Sequence, residues 1–172
     1  IRFMDAKQLK WFYLLLLSLI WGSSFILIKR GLVGLTAIQV GSLRIIFAGL
    51  FLLIVGFSSL KKISLRQWKF VALTSFFGTF IPAFFFAIAE TKVDSSIVAI
   101  LNSLTPLNTL VLGIIFFGIQ FQKRQVLGVF IGLVGCLLLV LNGASDHSGQ
   151  NYYYLILVVI ATLCYAINVN LI

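Results

Sequence analysis

The sequence predicts an all-α, polytopic membrane helix bundle, and three observations carry that prediction. Of 172 residues, 61% are hydrophobic and only 10% are charged, where soluble domains carry roughly a quarter charged residues. The apolar residues gather into runs of about 20 separated by short polar breaks, the length that crosses a ~30 Å hydrocarbon core. Lysines and arginines sit mostly at the ends of those runs, where they orient a chain in a bilayer. A large soluble core would instead show amphipathic elements of roughly 8–20 residues.

Helix 1 is read as Trp11–Ile28, helix 2 as Ile38–Phe57, helix 3 as Trp68–Ala89, helix 4 as Ser95–Phe117 and helix 5 as Val126–Leu141. Helix 6 begins near Tyr153 and is still running at Ile172. Helix 1 is too long for a signal-peptide core and no small-residue cleavage site follows it, so it stays as a membrane helix. Because the chain starts at Ile1 and stops inside an apolar run, it is expected to be a piece of a longer protein. The expected organisation is a cytoplasmic segment over 1–10, a five-helix unit over 11–142, an outer loop over 143–152 and the start of a second unit over 153–172.

Charge sets the orientation. Arg2, Lys7, Lys10, Lys61, Lys62, Arg66, Lys69, Lys123 and Arg124 fall on one side, nine against Lys29, Arg30 and Lys92 on the other. The richer side is cytoplasmic, which puts the N-terminus inside a cell (cytoplasmic or inner) membrane. Trp11, Tyr13 and Trp68 then form an inner aromatic belt, and Tyr152, Tyr153 and Tyr154 an outer one. Five helices from a cytoplasmic N-terminus start the next segment outside, so a second copy of the unit would sit inverted, a recurring transporter architecture. Helix 6 echoes helix 1, both opening on aromatics and continuing in leucine and isoleucine.

Polar residues inside the spans mark faces that avoid lipid. In helix 4, Asn102, Thr105, Thr109 and Gly113 share an arc of about 80° at 100° per residue. Pro106 borders that arc and Asn108 lies to its other side. Helix 3 groups Thr74, Ser75, Gly78 and Pro82, and helix 1 groups Ser18, Trp21, Gly22, Phe25 and Lys29. Trp21, Thr74, Gly78, Asn102, Thr105, Asn108 and Thr109 are therefore candidate solute-cavity residues, with Pro82 and Pro106 as points where helices flex. Small and hydroxyl residues serve equally as helix–helix glue, and that alternative stands beside the cavity for the serines, threonines and glycines.

Arg44 is the one charge well inside a span. Snorkelling to the interface, or a structural pairing with Glu90 or Asp94, is the expectation for it, against a functional role. Lys29 reads as an interface anchor. Glu90, at a helix end, is expected to be hydrated, which sets aside a role as proton carrier. Gly128, Gly132 and Gly135 in helix 5 form a packing face, within the chain or between copies.

Several functions are excluded. Net charge is +9, but no basic helix or aromatic-basic motif accompanies it, so nucleic acid is not the partner. Cys136 and Cys164 lie inside apolar runs as packed thiols, and His147 is a lone, solvated loop histidine. There is no HExxH, GxSxG, phosphate loop or paired intramembrane carboxylate, so no catalytic set assembles. No cofactor or metal is called for.

The stretch Trp21-Gly22-Ser23-Ser24-Phe25 with Lys29 after it resembles the helix 1 signature of the drug/metabolite transporter superfamily, EamA-type permeases. Leu43-Arg44, Ala89 with Val98-Ala99, Leu104-Thr105-Pro106-Leu107 and the helix 5 glycines are similar to that family's later motifs, in order, over about Trp11 to Asn142. The resemblance implies a ten-helix exporter or permease of two inverted five-helix repeats, moving small metabolites such as amino acids or drug-like solutes by alternating access. Two positions depart from it: Ile119 stands where a glutamate is frequent after helix 4, and Tyr165-Ala166 where a Trp-Gly or Trp-Ala pair is common. The first removes an acid from any inner-gate ion pair. The partners this reading needs are the lipid bilayer, a small-molecule solute and the remaining C-terminal repeat, with a homodimer as another way to supply the second half. The alternative function is a non-transporting membrane scaffold or complex subunit. An intramembrane enzyme is a third, and it needs acids or histidines from outside this stretch.

Overall fold

The computed structural model describes residues 5–60, 62–143 and 151–171. Arg2, Lys61, Asp146 and His147, used above, lie outside them, as does the side chain of Cys136. The described residues form an all-α bundle of six helices: α1 (Ala6–Gly31), α2 (Ala37–Leu60), α3 (Leu65–Ala89), α4 (Ser95–Phe117), α5 (Lys123–Gly143) and α6 (Leu155–Leu171). The first four are long and apolar enough to cross a membrane, and α6 is a shorter apolar helix.

Every helix except α4 differs at its ends from the sequence reading by a few residues, and local capping explains several of the differences. The Asp5 N–H donates to Gln8 Oε1 at 3.2 Å and the Ser64 N–H to Gln67 Oε1 at 2.9 Å. Thr36 with Gln39, and Gln122 with Gln125, repeat the pattern at 2.9 and 2.8 Å. Each glutamine satisfies a backbone donor that the first turn leaves open, so the helices begin in polar sequence ahead of the apolar run. α4 ends at Gly118, whose φ of +62° lies in the left-handed region that glycine tolerates.

Two helices are irregular where prolines interrupt the hydrogen-bond ladder. In α3 a π-helical segment, Phe76–Phe80, precedes Pro82, and the Ile81 N–H reaches back to the Phe76 carbonyl. In α4 the α-helix stops at Asn102 and resumes at Thr105. Pro106 has no N–H for the Asn102 carbonyl, and the Ser103 and Leu104 N–H groups instead donate to Ile100 and Leu101 at 3.0 Å, a tighter 3₁₀-type pattern.

α6 is the central helix. It packs along both α3 and α4, while α2 lies on the C-terminal part of α3 and α1 on the first half of α4. The continuous core gathers Phe25, Ile28, Val40, Phe86, Val93 and Val98 with Val158 and Ala161. These all lie towards one end of the bundle, called here the Glu90 end; the opposite, basic end carries Lys62, Arg66, Lys123 and Arg124.

Candidate functional site

Below the core, α4 and α6 meet through a polar seam. Asn108 Nδ2 donates to Thr162 Oγ1 at 2.9 Å, and Asn170 Nδ2 donates to the Thr109 carbonyl at 3.0 Å. Thr162 is fully buried, and its Oγ1 donates a hydrogen bond to the Val159 carbonyl at 2.7 Å. In an apolar surrounding such groups need partners, and here the two helices provide them to each other.

The glycines on these faces admit α6 rather than leaving open space. A Cβ on Gly78 would lie 2.4 Å from Asn168 Nδ2, and one on Gly113 would lie 2.9 Å from Asn170 Oδ1. The helix 3 and helix 4 arcs that the sequence presents as cavity lining are thus covered, at Gly78, Asn108, Thr109 and Gly113, by helix 6. Asn168 Oδ1 is enclosed there without a hydrogen-bond partner, beside the π-helical segment of α3.

The other candidates lie apart from this seam. Asn102 and Thr105 straddle the break in α4 and bond to each other, Thr105 Oγ1 donating to Asn102 Oδ1 at 3.3 Å. Thr109 Oγ1 donates to the Thr105 carbonyl and Thr74 Oγ1 to the Val71 carbonyl, both within their own helices. Trp21 is 67% exposed, on a face of α1 shared with Tyr13, Leu17 and Ser18. Pro82 is buried and Pro106 exposed. Nothing lies within 4 Å of a Cβ built on Gly128, Gly132 or Gly135, so this face packs against no described part of the chain.

The charged residues correct two expectations and place a third residue. Glu90, expected to be hydrated, is 0% exposed. It follows directly on the α3 span, in a turn that α1 covers, and both its carboxyl oxygens are buried without a hydrogen-bond partner. Lys29 is no free interface anchor: Nζ donates to the Glu90 carbonyl at 2.7 Å and the Val93 carbonyl at 2.9 Å, tying α1 to the α3–α4 turn. Arg44 lies close enough to Glu90 for its charge to act on the carboxyl; its Nη2 donates to Ser24 Oγ at 3.5 Å, and its Nη1 is enclosed without a hydrogen-bond partner among the described residues. Burial pushes the Glu90 carboxyl up to about 8, against the opposing charges of Lys29 and Arg44.

Sequence reasoning missed Thr162, Asn168 and Asn170. Amides inside an apolar run are a signal in themselves, and Asn168-x-Asn170 was visible in helix 6.

A family model, the EamA-like transporter family, matches residues 9–141. The chain belongs to this family, within the drug/metabolite transporter superfamily. Among its relatives, an uncharacterized transporter of Archaeoglobus fulgidus is 29% identical over 92% of the chain and 55% of that protein. A probable amino-acid metabolite efflux pump of Salmonella typhimurium is 28% identical over 77% of the chain and 44% of its own length. An uncharacterized inner membrane transporter of Escherichia coli is 29% identical over 87% and 48%. The chain thus spans about half the length of the curated relatives it matches. No solved structure matches it. The EamA match covers α1 to α5 up to residue 141 and leaves α6, which holds half of the polar seam, outside the matched stretch.

Proposed function

We propose that the whole protein is a secondary transporter that moves small metabolites, such as amino acids or drug-like solutes, across the cell membrane by alternating access. In this reading α1 to α5 are the first repeat and α6 opens an inverted second one, the N-terminus is cytoplasmic, and the Glu90 end faces outwards. The observation that carries it is the polar seam. It joins the interrupted helix α4 to α6, and the interrupted helix α3 packs on α6 beside it, Gly78 against Asn168. Discontinuous helices at the repeat interface near mid-membrane are where inverted-repeat transporters bind solute. Pro82, the π-helical segment and Pro106 remove backbone bonds that would hold these helices straight, so each half can tilt at small cost. No acid lies at mid-depth of the spans, which favours neutral hydrogen bonds and apolar contact over recognition of polycations. The name of the Salmonella typhimurium relative supports amino-acid-like solutes as the first panel to test.

The test is counterflow of labelled amino acids into proteoliposomes holding the full-length protein. At least one should accumulate, and Asn108→Ala or Asn170→Ala should slow it by an order of magnitude or more. Equal rates in parent and variants would remove the seam from the solute path.

A further inference from the structure

Glu90 has no structural employment that accounts for its burial. Both carboxyl oxygens are enclosed and accept no hydrogen bond from any described residue, although an ionised carboxylate out of water needs several to offset its desolvation. Two cations face it, Lys29 from α1 and Arg44 from α2. Lys29 spends two of its three donors on backbone carbonyls, while Arg44 reaches Ser24 and leaves Nη1 unpaired. On α6 the titratable neighbour is Tyr165, which stacks on Phe86 with ring centroids 5.9 Å apart. The turn into α4 adds Lys92, exposed, and Asp94, which precedes the first helical residue. Among the described residues no donor hydrogen-bonds either carboxyl oxygen, so a neutral carboxyl fits this dry site. The ionised form fits once water enters.

We propose that Glu90 is a proton-binding site of the transporter, holding a proton while the Glu90 end is packed shut and releasing it to water when α1, α3 and α4 part there. The step breaks the carboxyl O–H bond, passes the proton to water and leaves a hydrated carboxylate in the field of Lys29 and Arg44; no electrons move. It rests on the alternating-access reading, since that reading requires this end to open. By linkage, the form that holds the proton less tightly gains as pH rises, so alkaline conditions favour opening.

The experiment uses full-length protein in lipid nanodiscs and the proton itself as probe. Infrared titration should show a protonated-carboxyl band lost with a midpoint near 8 and missing from Glu90→Gln. In Arg44→Gln the midpoint should move upwards, because one stabilising cation is gone. Amide hydrogen exchange of residues 93–98 should accelerate beyond its intrinsic pH dependence between about pH 6 and about pH 10 in the parent, and stay flat in Glu90→Gln. A Glu90 band that titrates at the ordinary carboxylate value of about 4.3, or identical exchange in parent and Glu90→Gln, overturns the proposal. Neither readout uses a solute. A protein that titrates and opens as stated but carries nothing would therefore refute the transport reading and support the proton site.

Discussion

On α1, Phe25 and Ile28 are 9% and 3% exposed, whereas Leu14 and Leu15, about three turns away, are 55% and 62% exposed. The same contrast runs through the bundle. At the Glu90 end, Ala83, Ala87, Ala89 and Ala161 let helices approach closely. At the basic end, Leu65 and Phe116 are 92% and 73% exposed. One end is closed by contacts among the described helices. The other has helices whose apolar flanks await lipid or further helices. Under the alternating-access reading proposed above, that difference separates a gate that these helices close by themselves from one that they do not.

Overpacking gives the largest expected break in this comparison. Ala161→Phe should destabilise the protein by about 3 kcal/mol, the upper part of the range for added core volume, read as a fall in thermal midpoint in detergent. Leu15→Phe, with the same gain in bulk at the exposed end, should stay within about 0.5 kcal/mol. Equal losses at both positions would contradict the contrast.

Glycines sharpen it. A Cβ at Gly41 would lie 2.7 Å from the Phe84 ring and 3.3 Å from the Ala83 carbonyl, so Gly41→Ala should cost about 1–3 kcal/mol. Gly128→Ala meets nothing within 4 Å and should stabilise by about 0.5–1 kcal/mol from helix propensity. A loss at Gly128 in the full-length protein would show that another segment of the protein, or a second copy, covers that face.

The pH response should also be confined to the closed end. Because burial raises Glu90 to about 8, the unfolded chain releases this proton at lower pH than the folded one. The stability from the packed carboxyl is complete below about pH 4 and is lost as pH rises through 8. Thermal unfolding across that window should show a downward slope in the parent that Glu90→Gln removes.

The spans were legible in the sequence because hydrocarbon thickness dictates their length, and Pro106 announced the break in α4 because proline cannot complete the ladder. What escaped was rotation about helix axes. Hydropathy tells how long an apolar run is, but not which flank meets which neighbour. Gly78 therefore read equally as cavity lining or as helix glue, and it and Gly113 are the sites where Asn168 and Asn170 press in. Glu90 was misplaced for a related reason. A helix end is normally wet, and only the covering by α1 through Lys29 makes this one dry. The π-helical segment left no signal beyond Gly78 and Pro82, whose missing N–H interrupts the ladder.

A smaller effect tests the seam itself. A double-mutant cycle of Asn108→Ala and Thr162→Ala should return a coupling of about 0.6 kcal/mol, and no more than about 1.7, the range for hydrogen bonds between membrane helices. Zero coupling would mean that the 2.9 Å contact does not hold the two helices together.

The most direct measurement is of the two ends at once. Spin labels at Ser96 and Ile156 report the Glu90 end, and labels at Leu65 and Phe116 the basic end, all four being exposed positions. Pulsed distance measurements on the full-length protein in nanodiscs should give two populations at each end, with the shorter distance at one end accompanying the longer at the other as pH is varied. A single narrow distance at both ends, unmoved by pH, would describe a rigid scaffold and contradict alternating access.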